Sequence, residues 1–231
     1  MLCIHFSCKK DGTSTQTSPN IDSLPIPFKE GTWWRYQRID SVNYPPYAGS
    51  FYTPVYSIDT SIELISVIGK AQYLDSAIVR SPVESIILEV KNLTKGTSDT
   101  IHAFYLNPNY NNAYFIIRSN KDSFNLFIKM PLVEGSSRLL KPGTGFDYDD
   151  FTFHKNSSVT ILNKIFDGCS YTEDFQYYYG IHKSNDYYVT TFLKPSVGLV
   201  YWEVLDILYA DHAAPNTKIH YRRLIDYHIE P

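Results

Sequence analysis

The class of fold is decided by an alternating stretch, KIHYRRLIDYHI, at residues 218–229. Apolar side chains occupy positions 219, 221, 225, 227 and 229, and mostly polar ones lie between them. A period of two is the pattern of a β-strand that has one buried and one solvated face. We therefore predict a strand here whose odd-numbered residues face the core.

Similar patterns recur along the chain. Residues 122–130 alternate in the same way, and their short polar connection to residues 113–119 predicts a hairpin. Tyr56, Ile58, Ile62 and Leu64 also alternate, and the change of phase at residues 64–65 indicates a bulge or the end of that strand. Further strands are predicted at 33–39, 71–80, 84–93, 100–106, 158–166, 171–179, 186–193 and 197–208. The segment 197–208 is apolar on both faces, and its Val, Tyr, Trp and Gly residues favour a buried strand over a helix.

About a dozen short strands separated by polar turns predict an all-β antiparallel architecture, either a sandwich or a strongly curved sheet or half-barrel. Residues 27–32 and 131–136 share a Pro-apolar-x-Glu-Gly-hydroxyl pattern, 104 positions apart. We expect a single domain at 27–231. If the repeated pattern marks a duplication, the halves are 27–130 and 131–231; otherwise one continuous sheet remains.

Composition argues against two classes of partner. The chain carries 21 Lys and Arg against 24 Asp and Glu, a net charge of −3, without a long basic run. Such a chain lacks the electrostatic footprint of a nucleic-acid-binding protein and the basic patch that binds an acidic membrane surface. Its 43% hydrophobic residues suffice for a sizeable core, and 16% aromatic residues favour β-structure.

The N-terminal region contains a cysteine in a distinctive setting. Cys8 follows the small residue Ser7 and precedes Lys-Lys-Asp and a polar stretch typical of a solvated tether. This arrangement resembles the processing site of bacterial exported lipoproteins, which implies that Cys8 becomes the acylated first residue. Residues 1–7 are then the remainder of a signal peptide, and 8–26 are the anchor and its tether. The alternative is a cytosolic protein with a frayed N-terminus and an incidental cysteine.

Three short elements extend this resemblance. They are FKEGTW at 28–33, KPSVGLV at 194–200 and the RLIDY strand at 223–227. Together they resemble uncharacterised bacterial lipoproteins whose domain opens with an apolar-x-x-Gly-x-x-Trp element and closes with Pro-x-x-Gly-Leu-Val before a final strand. The resemblance implies a β-rich, membrane-tethered, extracytoplasmic domain without assigned chemistry. There is a looser similarity of shape to periplasmic lipid carriers that wrap a curved sheet around an apolar groove.

The sequence contains none of the common catalytic signatures, neither a nucleophile elbow, a phosphate-binding Gly-rich loop nor a His-Glu-x-x-His motif. Cys169 is interpreted as a small buried hydrophobe. Glu173 and Asp174 are adjacent, so on a strand they would point to opposite faces and could not act as a joint acid–base pair. His220 and His228 could share a strand face, but they would lie about 26 Å apart at about 3.3 Å per residue. We predict no catalytic residue and no cofactor.

One acidic cluster is a candidate metal site. Asp147, Asp149 and Asp150 supply the oxygen ligands that Ca²⁺ takes, although the remaining ligands of a helix-loop-helix site are missing. The favoured interpretation is a solvated acidic loop.

Aromatic residues offer a second kind of candidate site. Tyr44, Tyr47, Phe51 and Tyr52 lie in a segment rich in Pro, Gly and Ser, where a strand cannot easily bury them, and we predict that they face a ligand. The aromatic runs at 33–34, 177–179 and 187–188 are instead interpreted as cross-strand pairs.

The combined prediction is a lipid-anchored binding or structural module without catalytic activity, at the periplasmic or outer-membrane surface of a bacterial cell envelope. Its partners would be the membrane, through the anchor, and a glycan, peptide or protein, but not nucleic acid. Two alternatives remain open. One is a carrier that holds a hydrophobic ligand in an apolar groove, and the other is a glycan-active enzyme.

Overall fold

The computed structural model describes residues 26–44, 55–74, 82–106, 113–119, 125–130, 134–140, 148–179, 183–210 and 216–231. Every helix or strand element within these ranges is a β-strand, which confirms the predicted all-β class. The strands are β1 (Trp33–Tyr44), β2 (Val55–Tyr73), β3 (Val83–Asn92), β4 (Thr97–Leu106), β5 (Ala113–Ser119), β6 (Asn125–Met130), β7 (Gly135–Leu140), β8 (Tyr148–Ile161), β9 (Lys164–Tyr179), β10 (Lys183–Lys194), β11 (Gly198–Ala210) and β12 (Asn216–His228). No helix in the described ranges is long and apolar enough to cross a membrane.

The strands form a single antiparallel sheet in the order β6-β5-β4-β3-β2-β1-β12-β11-β10-β9-β8-β7. Each strand lies beside its neighbours in sequence, except that β6 and β7 are the two edges and β1 pairs with β12 at the centre. The two predicted halves therefore correspond to the runs β1–β6 and β7–β12. Whether they arose by duplication stays a prediction.

The sheet is strongly curved. Leu88 of β3 and Ile101 of β4 line the same cavity as Leu199 and Trp202 of β11. In a flat sheet β4 and β11 would be five strand spacings apart, about 24 Å. We call the concave side, which carries Trp34 and most of the core, the inner face, and the opposite side the outer face.

The core on the inner face joins the two halves of the sheet. Trp34 Nε1 donates to the carbonyl of Val197 at 2.5 Å, and Tyr36 Oη donates to the carbonyl of Leu199 at 2.7 Å. Ile26, which the sequence prediction placed in the tether, is 5% exposed and belongs to this core. Its buried members also include Ile65, Val67, Ile86, Leu88, Ile101, Ala103, Val189, Trp202 and Leu224.

The prediction that the odd-numbered residues of β12 face the core is wrong. Arg222 and Leu224 are buried, whereas Tyr227 is 41% exposed and the other odd-numbered residues are half-buried. The register explains the difference, because Leu224 lies opposite Tyr36 on the inner face and a bulge at Arg35/Tyr36 shifts the phase beyond it. Ile219 and Tyr221, which precede the bulge, therefore lie on the outer face, whereas Tyr227, beyond it, lies opposite Trp34.

The predictions for β2 also need correction. Residues 55–73 form one strand, so the strand does not end at 64–65, and residues 71–73 of the predicted strand at 71–80 belong to β2. Residues 75–80 lie outside the described residues. The register shift falls between Val67 and Gly69 instead. Tyr56 and Ile58, two members of the predicted alternating set, are 69% and 57% exposed, whereas Glu63 is 2% exposed.

Three further predictions concern single elements. The predicted hairpin of residues 113–130 is present as β5 and β6, and the segment 197–208 is a strand, as predicted. The predicted strand at 158–166 is wrong, because Leu162 and Asn163 form a two-residue turn with φ of 48° and 67° between β8 and β9. Positive φ at both positions is typical of the turn type that suits a tight hairpin.

Candidate binding surface

A line of aromatic rings crosses the outer face from β8 to β12. We call this line the aromatic row: His154, Tyr171, Phe192, Tyr201 and Tyr221. The ring centroids of successive members are 6.1, 5.0, 6.1 and 6.5 Å apart. Rings on adjacent antiparallel strands at such spacings stabilise the sheet and together present a broad aromatic surface.

The register of the strands creates this row. Tyr171 lies opposite both His154 and Phe192, and Phe192 lies opposite Tyr201. The side chain of His154 is 51% exposed, and the other four residues are half-buried. Phe192 and Tyr201 also pack against the core.

Two carboxylates orient the tyrosine hydroxyls of the row. Tyr171 Oη donates to Glu173 at 2.5 Å, and Tyr201 Oη donates to Glu203 at 2.5 Å. Burial and the hydrogen bond to Glu173 raise the pKa of Tyr171 to about 12. Burial and Glu203 raise the pKa of Tyr201 in the same way. Both hydroxyls therefore stay protonated at neutral pH and keep lone pairs that can accept a hydrogen bond from a ligand.

The charges beside the row are mainly acidic. Thr190 of β10 lies opposite both Glu173 and Glu203, which places the two carboxylate-bearing residues two strands apart on the same face. Arg223 donates from Nη2 to Tyr221 Oη at 3.3 Å, and its guanidinium lies 4.9 Å from the centroid of that ring. The Glu134 carboxylate lies 3.1 Å from His154 Nδ1, so the carboxylates of Glu134, Glu173 and Glu203 outnumber the Arg223 guanidinium. Such a surface favours a neutral ligand over a polyanion.

A second group of polar residues lies on the inner face and was not predicted from the sequence. We call it the ion-pair cluster: Glu63, Arg38, Asp40, His220 and Arg222. Glu63 accepts from Arg222 Nε at 2.6 Å and from Arg38 Nη1 at 2.8 Å. Asp40 accepts from Arg38 Nε at 2.7 Å, and its other oxygen lies 2.8 Å from His220 Nδ1. The carboxylates and guanidinium groups thus neutralise one another within the cluster.

The electrostatics of the cluster favour the charged forms of its acids. Burial alone would raise the pKa of Asp40, but hydrogen bonds from His220 and Arg38 lower it to about 2. The pKa of Glu63 is also lowered, because Arg222 and Arg38 outweigh the effect of burial. Buried charges of this kind persist only when they are paired. The cluster is therefore best explained as part of the fold's interior.

An apolar cavity of about 20 Å³ lies between the strands on the inner face. It is lined by Ile26, Phe28, Trp34, Tyr36, Ile65, Leu88, Ile101, Leu199 and Trp202. A volume of this size has room for about one water molecule and none for an acyl chain. As it stands, this cavity does not provide the groove that a carrier of hydrophobic ligands requires.

The predicted ligand-facing aromatic residues are placed only in part. Tyr44 is the last residue of β1, is half-buried and lies opposite Val55. The Lys218 ammonium lies 6.0 Å from the centroid of its ring. Tyr47, Phe51 and Tyr52 lie outside the described residues, so their role stays a prediction. The interpretation of other aromatic runs as cross-strand pairs is supported for Tyr188, which stacks on Phe175 at 4.5 Å.

The predicted acidic loop is partly a strand. Asp149 and Asp150 are successive residues of β8, opposite β7, and Asp147 lies outside the described ranges. Successive residues of a strand alternate between its faces, which is unfavourable for joint coordination of one ion. In the described parts of the chain, no group of three His, Cys, Asp or Glu residues is arranged to hold a metal ion. Calcium binding, the less favoured of the two interpretations, is untested.

The remaining candidates are located as follows. Cys169 is buried, donates to the carbonyl of Phe166 at 3.3 Å, and has its pKa raised by burial, as expected of a small hydrophobe rather than a reactive thiol. Glu173 and Asp174 are successive residues of β9 and therefore face opposite sides, as predicted. Cys8 lies outside the described residues.

His220 and His228 do not share a face. His220 lies opposite Asp40 and belongs to the ion-pair cluster, whereas His228 lies opposite Trp33 and stacks on it with centroids 6.2 Å apart. The bulge between the two positions of β12 reverses the alternation.

The fold and this surface define an open, curved, all-β sheet with an aromatic outer face. No protein-family model matches the chain, and no curated protein matches it. The crystal structure of a predicted lipoprotein from Parabacteroides distasonis ATCC 8503 is similar at 16% identity, covering 89% of this chain and 98% of that chain with a TM-score of 0.42. A predicted exported protein with a YmcC-like fold from Bacteroides fragilis NCTC 9343 is similar at 12% identity, covering 87% and 98% respectively with a TM-score of 0.37. TM-scores below 0.5 do not transfer a location or a function to this chain.

Proposed function

We propose that this protein is a lipid-anchored, extracytoplasmic recognition module that binds an extended neutral glycan without transforming it. The observation that carries the proposal is the aromatic row. Its rings cross five adjacent strands in one line, and two of its hydroxyls are held by carboxylates.

The chemistry of the row suits a sugar chain. Aromatic rings provide apolar area against the C–H face of a pyranose, and their tyrosine hydroxyls exchange hydrogen bonds with sugar hydroxyls at little entropic cost. Tyr171 and Tyr201 already donate to Glu173 and Glu203, so their hydroxyl oxygens are free to accept from the ligand. The acidic balance beside the row disfavours a polyanionic glycan.

The hydrogen bonds of the two carboxylates, rather than their separation, favour recognition over hydrolysis. Two strand spacings separate Glu173 from Glu203 by about 10 Å. This backbone separation is about twice the 5 Å between the carboxyl groups of retaining glycosidases and lies near the upper limit of the range of about 6.5–9.5 Å for inverting ones. Here each carboxylate accepts a hydrogen bond from a tyrosine in place of a reacting group.

Binding to immobilised neutral polysaccharides tests the proposal. A panel that includes a β-glucan, a mannan and an amylose would be compared by affinity electrophoresis for the wild type, Tyr171→Ala and Tyr201→Ala. We expect retardation by at least one polysaccharide, and at least a tenfold loss of affinity in either variant. Tyr209→Ala is the matched control, because Tyr209 is exposed on β11 outside the row.

Two results would contradict the proposal. One is the absence of retardation by any neutral polysaccharide, and the other is equal binding by the row variants and the Tyr209 control. Release of reducing ends from a bound polysaccharide would instead favour the glycan-active enzyme.

The anchor is tested separately. Expression of the full chain behind an intact lipoprotein signal should place it in the membrane fraction, and Cys8→Ala should release it. A wild-type protein that stays soluble with an unprocessed N-terminus would refute the anchor and leave the glycan proposal standing.

A further inference from the structure

The first half of β2 is open to solvent on both faces. All residues from Val55 to Thr60 are exposed, including Val55 at 48%, Tyr56 at 69% and Ile58 at 57%. β1 covers one edge of this half-strand, but β3 pairs with β2 only from Glu63 onward. Among the described strands, none pairs with the other edge of residues 55–61.

The backbone groups on that edge can be assigned by alternation. Ile62 donates its N–H to Thr94 Oγ1 at 2.9 Å and accepts from the Leu93 N–H at 2.7 Å, so its backbone groups point to the side of β3. Every second residue of a strand points the same way. The N–H and C=O groups of Thr60, Ile58 and Tyr56 therefore point along the open edge.

We infer that a second copy of this chain pairs with this edge, antiparallel, about a two-fold axis at Ile58. The open edge spans Val55–Ser61, and Ile58 is its midpoint. With Ile58 opposite its own copy, Tyr56 lies opposite Thr60 of the partner, and every outward-pointing backbone group finds a complementary one. The same patch on both molecules is what a two-fold interface requires.

Charge and apolar area agree with this pairing. Asp59 would face Ser57 of the partner, so no like charges lie directly opposite each other. Each Asp59 is also paired with Lys95 of its own chain, on the β3–β4 turn. On the outer face the exposed side chains of Tyr56 and Ile58 would contact those of the second copy and form one apolar strip. This contact would remove part of their apolar area from water.

The boundaries of the edge favour a second copy over an unrelated extended peptide. At one end the β3–β4 turn, which hydrogen-bonds to Ile62, stops the incoming strand. At the other end Pro54 precedes the strand and has no N–H to extend the ladder. A seven-residue ladder fits between these limits in both molecules at once. Because such an interface is small, we expect a concentration-dependent dimer.

Cross-linking tests the pairing in the full chain, in a Cys3→Ser, Cys8→Ser background that leaves only buried Cys169. Ile58→Cys should form a disulfide-linked dimer under mild oxidation, because opposed residues of a hydrogen-bonded pair have Cα atoms about 5.5 Å apart, within the range of a disulfide. Leu74→Cys is the matched control, since Leu74 is 59% exposed just beyond the other end of β2. The inference is overturned if both variants cross-link at the same rate.

Sedimentation velocity provides a second, non-covalent measurement. In the same serine background, the sedimentation coefficient should rise with protein concentration. Ile58→Lys should abolish the rise by placing two ammonium groups across the axis, whereas Leu74→Lys should retain it. A monomer throughout the concentration series, or equal association by both lysine variants, would refute the dimer. Neither experiment involves the aromatic row, so the glycan proposal stands or fails independently.

Discussion

Glu63 on β2 and Arg222 on β12 form a bidentate pair although β1 lies between their strands. Their side chains are 2% and 6% exposed, and Arg38 of the intervening strand donates to the same carboxylate. The Arg222 guanidinium also lies 4.7 Å from the centroid of the Trp202 ring. One carboxylate thus ties three strands together at the centre of the sheet, next to the aromatic part of the core.

We predict that Glu63→Gln lowers the free energy of unfolding by about 3 kcal/mol, because it leaves buried Arg222 without its counter-charge. Urea denaturation measures this loss. Glu84→Gln is the control, since the pair between Glu84 and Lys70 is exposed and should contribute less than about 1 kcal/mol. Equal effects of the two substitutions would mean that the buried pair contributes no more than an exposed one.

Asp40 should make stability depend on pH in the acidic range. Its pKa is about 2 in the folded protein against an ordinary value of 3.8. The stabilisation is therefore complete above about pH 4 and is lost as the pH falls toward 2, by about 2 kcal/mol. Asp40→Asn should flatten the dependence of the unfolding midpoint on pH in this range. An unchanged slope between pH 4 and pH 2 would show that Asp40 has an ordinary pKa.

His102 should make the stability of the fold depend on pH nearer to neutrality. Burial lowers its pKa from the ordinary 6.5, and its Nδ1 lies 3.1 Å from the Ser85 hydroxyl while its ring packs against Tyr73. As the pH falls below 6.5, the unfolded chain binds a proton more readily than the folded one, so stability decreases. His102→Gln should remove this decrease between pH 7 and pH 5 in thermal melts. A variant with the same decrease as the wild type would assign it to another histidine.

Gly198 should tolerate no side chain. It has φ of +106°, and an added Cβ would lie 3.1 Å from Trp34 Nε1, which donates to the neighbouring Val197 carbonyl. Gly198→Ala should lower the melting temperature by several degrees and shift the Trp fluorescence. Gly96→Ala is the matched control, because Gly96 also has positive φ (+68°) but an added Cβ would meet no atom within 4 Å. Equal melting temperatures would exclude crowding at Trp34.

The β-class could be predicted because it depends on local alternation, which hairpins such as β5–β6 carry within a few residues. The buried face of each strand could not be predicted, because it depends on residues that are distant in the chain. Glu63 stands between Ile62 and Leu64 and Arg222 follows Tyr221, so each looks like the solvated member of an alternating strand. Each is buried because the other neutralises it from two strands away. The sequence signal for such a pair is an acidic residue inside one apolar run and a basic residue inside a second apolar run.

The aromatic row was missed for a related reason. Tyr171, Phe192 and Tyr201 lie in three separate strands and acquire a common line only through register. Register depends on turn lengths and on bulges such as the one between Phe192 and Leu193. The sequence prediction therefore singled out dense aromatic runs such as 44–52, where neighbours in sequence suggested a site, and overlooked a site made by neighbours in space.

The pairing of β1 with β12 has a consequence for folding. Ten of the eleven contacts between adjacent strands join segments that follow each other in the chain, but this one joins Trp33 to His228 and Asn43 to Thr217. Loop closure over such a separation is slow compared with the formation of hairpins. If the hairpins form before β1 pairs with β12, the edges of these two strands are exposed and could pair with another chain. Slow pairing of β1 with β12 would therefore favour aggregation, and a chaperone that protects these two edges would favour folding.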